Sequence, residues 1–477
     1  MTTSFITTAI PYVNARPHVG FAYELVLADV LARHRRLRGY DVRFITGTDD
    51  HSLKNVVAAE REGISTQALV DRNAAAFDEL APLLAITRDD FIRTSADARH
   101  RIAVDWLWRA CKHDLYRREW QGRYCPGCEA FVDDHVVVCD EHGIAPEPVC
   151  EENWFFRLSR WREPIREAIE SGRLAIVPDA ARAETLAFLA GPVRDLSVSR
   201  VATRAGGWGI PVPDDPTQVI YVWFDALANY VASLGLGGDD SALLDRYWCA
   251  ERTHVIGKGI TRFHAVYWPA FLLSAGLSLP ERIFVHGYLT VDGEKIRKSG
   301  RNVEVPPVVE QTSIDAVRWY FVRRCRTRTD NDVSVDAIRA AHDGDLADRF
   351  GNLVHRCTTL AAKLGCSAPA TTELHAPLAA RVDRALDAFA CDEAVGAIVE
   401  LVDEANRALE VSAPWRLAKT DRAAAAAALQ WPLAAARAAV SELAPFVPET
   451  ARVLAARLDG AHDPRPPIQR YRRTVAL

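Results

Sequence analysis

Apolar positions fall into two alternating rhythms along the first part of the chain. Phe5–Ala9 and Val42–Thr46 are short β-branched and aromatic runs and read as buried strands. Each is followed by a stretch with apolar residues three and four apart, Ala22–Arg38 and Asn55–Arg61, which reads as a helix. Strand, helix and strand in that order build βαβ units and a parallel sheet. Between residues 113 and 215 the rhythm breaks. Gly, Pro and Cys punctuate this region, and one short helix is expected near Trp161–Glu170. Strand character resumes at Val219–Trp223, returns as a β-rich run at Ile283–Thr290 and continues to about 325. From Val333 onward only helical spacing remains, in Leu346–Leu364, Ala380–Glu410 and Arg422–Leu443. The pattern predicts an α/β fold: a Rossmann-type parallel sheet from residues 1–112 and 216–325, interrupted by an insertion at 113–215. An all-α helical bundle at 326–477 follows.

Composition narrows the function classes. A net charge of −5 excludes a generically basic nucleic-acid binder, so any RNA contact must be local. Two arginine clusters offer such contacts, Arg323, Arg324, Arg326 and Arg328, and Arg465, Arg470, Arg472 and Arg473. A solvated surface explains each cluster equally well. No apolar run approaches the roughly 18 residues of a membrane span, and the N-terminus opens on a strand rather than a basic, then apolar, leader. Both features lead us to expect a cytoplasmic protein with no membrane partner.

Ten cysteines in such a chain favour metal ligation or free thiols over disulfides. Cys111, Cys249, Cys325, Cys357, Cys366 and Cys391 are scattered in hydrophobic contexts and read as small core residues. Cys125-Pro126-Gly127-Cys128 is a tight turn that aims two thiolates at one point, and Cys139 and His142 repeat the spacing. A Cys₃His set suits a closed, tetrahedral structural Zn²⁺ site. Cys150 competes as a ligand, but it lies outside the paired knuckles and precedes the aromatic run Asn153-Trp154-Phe155-Phe156.

The densest chemical signal is Ala9-Ile10-Pro11-Tyr12-Val13-Asn14-Ala15-Arg16-Pro17-His18-Val19-Gly20-Phe21, a strand that breaks at a proline and opens a helix through a glycine. Helix N-termini present unpaired N–H groups to phosphates, and Gly20 lets a ligand approach the backbone. Far downstream, Lys295-Ile296-Arg297-Lys298-Ser299 places two lysines and a hydroxyl in a polar loop. The two elements together resemble the His-x-Gly-His and Lys-Met-Ser-Lys-Ser signatures of class I aminoacyl-tRNA synthetases. Thr46-Gly47-Thr48-Asp49-Asp50-His51, Tyr221-Val222-Trp223-Phe224-Asp225-Ala226, Ile256-Gly257-Lys258, Phe263-His264 and Trp268-Pro269 narrow the resemblance to methionyl-tRNA synthetases, over residues 4 to about 450.

The resemblance implies activation of methionine by ATP, which enters as its Mg²⁺ complex, and transfer to methionine tRNA. It assigns catalysis to His18, Lys295 and Lys298, and ATP contacts to these with Gly20, Phe21, Glu24, Gly257, Arg297 and Ser299. It lines the amino-acid pocket with Ile10, Tyr12, Trp223, Ala226, Leu227, Tyr230, Ile260 and His264, and pairs Asp49 with the substrate ammonium. Aromatic walls suit a thioether. The resemblance further implies that zinc shapes a connective insertion beside the active site, and that the bundle reads the anticodon through Asn352, Arg356 and Trp415. Asn352 and Arg356 lie one helical turn apart, and Trp415 follows Pro414 where it can stack an unpaired base. A chain ending without an appended dimerisation domain is expected to be a monomer. Four positions depart from the family: Phe21 replaces its second signature histidine, Ile296-Arg297 its Met-Ser, Gly259 its aspartate after Gly-Lys, and Ser52 its glycine after His51. Phe21 cannot donate a hydrogen bond, which predicts slow activation unless Arg297 compensates. Two alternatives stay open: a relative that passes an activated amino acid to a small-molecule acceptor in specialised metabolism, and a catalytically weak tRNA-binding protein.

Overall fold

The protein is described by a computed structural model covering residues 2–125, 130–132, 135–139, 143–204, 206–291, 293–295, 303–369, 373–461 and 463–471. The chain gathers into two compact units, the first made of residues 1–17, 41–79 and 88–284 and the second of 18–40, 80–87 and 285–477.

The first unit is built on a six-stranded sheet. Its strands are β1 (Thr3–Thr8), β2 (Asp41–Thr48), β3 (Asp90–Arg93), β4 (Ala175–Val177), β5 (Glu251–Gly257) and β6 (Arg282–His286), in the order β3-β2-β1-β5-β6-β4. The pairs β1–β2, β2–β3, β1–β5 and β4–β6 are parallel. Five of the six residues of β1 are buried, as a strand covered on both faces requires. Strand order reverses between β1 and β5. In doubly wound sheets ligands bind outside the carboxyl ends of such a pair. Ile10 and Tyr12 follow β1, and Gly257 ends β5.

The insertion carries a four-stranded sheet in which Leu115–Cys125 and Glu147–Phe156 form a long antiparallel ladder, flanked by Ala130–Val132 and Leu196–Ser197. The expected helix near Trp161 runs from Leu158 to Glu170. The expected strand Val219–Trp223 is corrected: the strand ends at Ile220, and Trp223 sits in the short helix Val222–Leu227. The Tyr221 carbonyl accepts the N–H groups of Phe224 (2.9 Å) and Asp225 (3.1 Å), which closes a helical turn and swings Trp223 out of the strand.

The second unit contains the helix Val19–Leu37, which starts three residues before the expected Ala22, and the helical bundle. Arg422–Leu443 is helical as read, whereas Ala380–Glu410 is two helices, His375–Asp387 and Cys391–Ser412. The break lies at Phe389, whose φ of 54° is left-handed while its ring is fully buried. Burying that ring outweighs the backbone strain, and no glycine or proline marks the break in the sequence. Arg318, fully buried, pairs with Asp29 (2.8 Å) and donates to the carbonyls of Leu84, Pro445 and Phe446. At the C-terminal end of Val19–Leu37, Arg38 grips the Glu442 carboxylate with both terminal nitrogens. Among the described residues no helix is long and apolar enough to cross a membrane.

Candidate active site

All the predicted amino-acid-pocket residues lie in the first unit: Ile10 and Tyr12 follow β1, Asp49 follows β2, Ile260 and His264 follow β5, and Trp223, Ala226, Leu227 and Tyr230 lie on the short helices Val222–Leu227 and Asn229–Ala232. Asp49 N–H donates to the Pro11 carbonyl (2.9 Å), which sets Tyr12 and Asp49 side by side. Asp49 is only 1% exposed, and one carboxylate oxygen accepts the His51 backbone N–H (3.2 Å). The Tyr12 ring lies 6.3 Å from Trp223 and carries the Lys54 ammonium over its face at 5.0 Å. Trp223 stacks on Phe263 at 3.7 Å and 9°, and meets His264 edge-on. Ala226, Leu227 and Tyr230 are buried; Ile10 and Ile260 are half-buried.

Two histidines behind this wall are locked neutral. His264 donates from Nδ1 to the Ile260 carbonyl (3.0 Å), so Nε2 accepts the Tyr230 hydroxyl (2.7 Å). Burial pushes its pKa down to about 4, the Ile260 bond opposing only in part. His254 Nε2 accepts the Trp268 indole N–H (3.2 Å), and its Nδ1 donates to Thr7 (2.7 Å). Burial, aided by the nearby His264 and Arg252, holds its pKa well below the usual histidine range. Apolar and aromatic surface with neutral polar atoms can accept an uncharged side chain, with Asp49 as the nearby anion.

Sequence reasoning missed the polar knot beside this pocket. Asp225 is fully buried and accepts from His51 Nδ1 (2.7 Å) and His100 Nε2 (2.5 Å). Burial alone would raise its pKa, but the two imidazoles outweigh that and hold it low. Burial likewise depresses His51, and Asp225 more than reverses the effect, leaving its pKa raised. Residues 51, 100 and 225 are far apart in sequence, and no local pattern joins them. Ser52, the departure from the family glycine, caps the helix Leu53–Glu62 by accepting the Lys54 N–H (3.1 Å).

Of the predicted nucleotide residues that are described, all but Gly257 lie in the second unit. His18 is the N-cap of Val19–Leu37, and its Nδ1 accepts the Gly20 N–H (3.1 Å). In the neutral ring the proton is therefore on Nε2, which makes that nitrogen a donor. Gly20 has a second use: a Cβ there would lie 2.9 Å from His18 Cε1, so only glycine leaves room for the imidazole. Phe21, 8% exposed, turns into the interior. Glu24, 5% exposed, meets His286 Nε2 at 2.9 Å, and His286 Nδ1 donates to the Gly287 carbonyl (2.8 Å). Lys295 belongs to the short strand Glu294–Lys295, which pairs with Leu289–Val291; its side chain, with Ile296, Arg297, Lys298 and Ser299, lies outside the described residues.

Cys125 and Cys139 are both buried. The Cys139 carbonyl accepts the Gly143 N–H (2.7 Å), and its own N–H donates to the Ile144 carbonyl (2.8 Å). Cys128 and His142 lie outside the described residues, and among those described no cluster of three or more His, Cys, Asp or Glu forms a metal-binding group. Cys150 is exposed and bonded to Glu119 (3.4 Å). Two thiols expected in the core are corrected: Cys249 is exposed and Cys366 only half-buried. In the bundle, Arg356 lies over the Trp415 ring at 4.9 Å, with Trp415 39% exposed, and Asn352 is exposed at the start of Asn352–Leu364. Arg324 pairs with Asp345 (3.0 Å) and Arg470 with Asp348 (2.6 Å), so carboxylates answer part of each arginine cluster.

Residues 4–141 and 136–358 match the family described as tRNA synthetases class I (M), and residues 363–472 the anticodon binding domain of methionyl tRNA ligase. A methionine–tRNA ligase of Mesorhizobium japonicum is 40% identical over 438 residues, 87% of this chain and 84% of the relative. The Rhizobium meliloti protein of the same name is 40% identical over 94% of this chain and 90% of its own. Among solved structures, Mycobacterium tuberculosis methionyl-tRNA synthetase in complex with methionyl-adenylate superposes with a TM-score of 0.87 at 38% identity, covering 95% of this chain and 93% of that one.

Proposed function

Because the chain belongs to the methionyl-tRNA synthetase family, we propose that it activates methionine with ATP and charges methionine tRNA. The observation that carries this reading is the pocket: an aromatic and apolar wall with neutral His264 behind it and the Asp49 carboxylate at its edge. That combination takes a thioether side chain and an α-ammonium together. The solved relative bound to methionyl-adenylate holds the product of such a step.

In activation the methionine carboxylate attacks the α-phosphorus and pyrophosphate leaves. His18, with its proton on Nε2, donates to the charge that builds on the phosphoryl oxygens, and Lys295 and Lys298 serve the same purpose. Gly257 and Glu24 serve the nucleotide. In transfer, the 3′-terminal ribose hydroxyl of tRNA attacks the adenylate carbonyl and AMP leaves. The Arg356–Trp415 stack offers a flat cationic surface to an unpaired anticodon base, and Asn352 adds a polar contact. Cys125, Cys128, Cys139 and His142 would hold one structural Zn²⁺, a reading supported by the buried thiols of Cys125 and Cys139. We read the protein as a monomer that acts in the cytoplasm, where methionine, ATP and tRNA are found together.

The deciding experiment measures ATP–pyrophosphate exchange with methionine and, separately, methionine transfer to methionine tRNA. Both are expected. Exchange without transfer would replace the tRNA reading with that of a small-molecule acceptor, and absence of exchange with methionine would end the activation reading.

A further inference from the structure

Asp225 touches neither the predicted substrate ammonium partner nor the solvent, yet it fastens the two segments that define the amino-acid pocket. We propose that Asp225, acting through His51, is the positioning residue for methionine: it holds the Asp49 carboxylate in register with the Trp223 wall. The proposal rests on the methionine reading above and adds which side chains set its geometry.

The connection runs through His51 at both of its ends. Its ring donates to Asp225 (2.7 Å), and its backbone N–H donates to the Asp49 carboxylate (3.2 Å). Asp225 stands two residues after Trp223 and directly before Ala226 and Leu227, all in Val222–Leu227. A shift of the His51 ring is therefore passed to Asp49 on one side and to the aromatic wall on the other. His100 occupies the second oxygen of Asp225 (2.5 Å), so both oxygens of the buried carboxylate have donors. Trp208 packs edge-on against the His51 ring at 5.9 Å and donates its indole N–H to the Asp50 carbonyl (2.7 Å). The neighbouring acid Asp50 gives one carboxylate oxygen to Arg93 (3.0 Å) and Ser95 (2.6 Å), and its charge adds to that of Asp225 in favouring the protonated His51 ring. A carboxylate as deep as that of Asp225 tolerates little movement, since without its donors it would be buried and uncompensated.

The test compares His51→Ala with His51→Asn, in the full-length protein, by ATP–pyrophosphate exchange. The asparagine amide can place a donor near the position of Nδ1; alanine cannot. His51→Ala should raise KM for methionine about tenfold or more and leave KM for ATP within about twofold, while His51→Asn should return methionine KM to within about threefold of wild type. Asp225→Asn, which keeps volume and removes charge, should also raise methionine KM selectively, with calorimetric methionine Kd following. Unchanged methionine KM in His51→Ala, no rescue by asparagine, or a parallel rise in both KM values would overturn the proposal. A wild-type protein without methionine-dependent exchange would instead overturn the function reading on which it stands.

Discussion

His264 sets how the pocket responds to acid. Its pKa falls from 6.5 to about 4 because burial disfavours the imidazolium. In the unfolded chain the ring takes up its proton near the ordinary value, so below that pH the unfolded state binds more protons than the folded one. The stability contributed by the neutral ring is fully present above 6.5 and drains away as pH falls towards about 4. At 1.36 kcal/mol per pKa unit, the whole effect is about 3 kcal/mol, of which about 2 kcal/mol is lost between about pH 8 and about pH 5. Urea unfolding at those two pH values, followed by tryptophan fluorescence, measures the loss. The reference is His264→Gln, whose amide accepts the Tyr230 hydroxyl but does not titrate. His254 is depressed chiefly by its own burial, which both proteins share, and only in smaller part by His264, so most of its contribution cancels in the difference. The wild type should lose about 2 kcal/mol more than the variant on acidification. Equal losses would refute the assignment of a buried neutral His264.

Gly20→Ala would force a Cβ to 2.9 Å from His18 Cε1, displacing the imidazole that caps the helix. Exchange should fall on the order of 100-fold while calorimetric methionine affinity stays put. Trp415→Ala removes the exposed ring stacked by Arg356. It should weaken tRNA transfer by roughly 1–3 kcal/mol without changing exchange; an equal fall in exchange would deny Trp415 an RNA role. Elemental analysis should find about one zinc per chain, lost on joint Cys125→Ser and Cys139→Ser replacement, with loosening of the insertion read by limited proteolysis before the sheet unfolds. A metal content near zero would remove the knuckle assignment.

The layout of the chain was legible wherever one face of an element decides its fate. β1 and Arg422–Leu443 show this best: a short β-branched and aromatic run and a long alanine-rich repeat leave few alternatives. Local pattern failed where tertiary burial overrode it. Phe389 breaks a helix with no helix breaker in the sequence, and Trp223 leaves a strand because its neighbours close a turn on the Tyr221 carbonyl. The pocket residues were found by their likeness to a family pattern, and most are aromatic or apolar groups that propensity alone would send to any core. What the sequence withheld was the support behind them. His51, His100 and Asp225 come from three distant segments, and Thr7, His254 and Trp268 from three more. Each looks ordinary in its own stretch, because a hydrogen-bond network is a property of the assembled sheet and leaves no periodicity behind. Even Gly20, legible as a phosphate-loop glycine, proved to make room for the chain's own imidazole, which fixes the proton on His18 Nε2. The contacting groups of this site are thus written locally, while the charges and tautomers that make them usable are written by the fold.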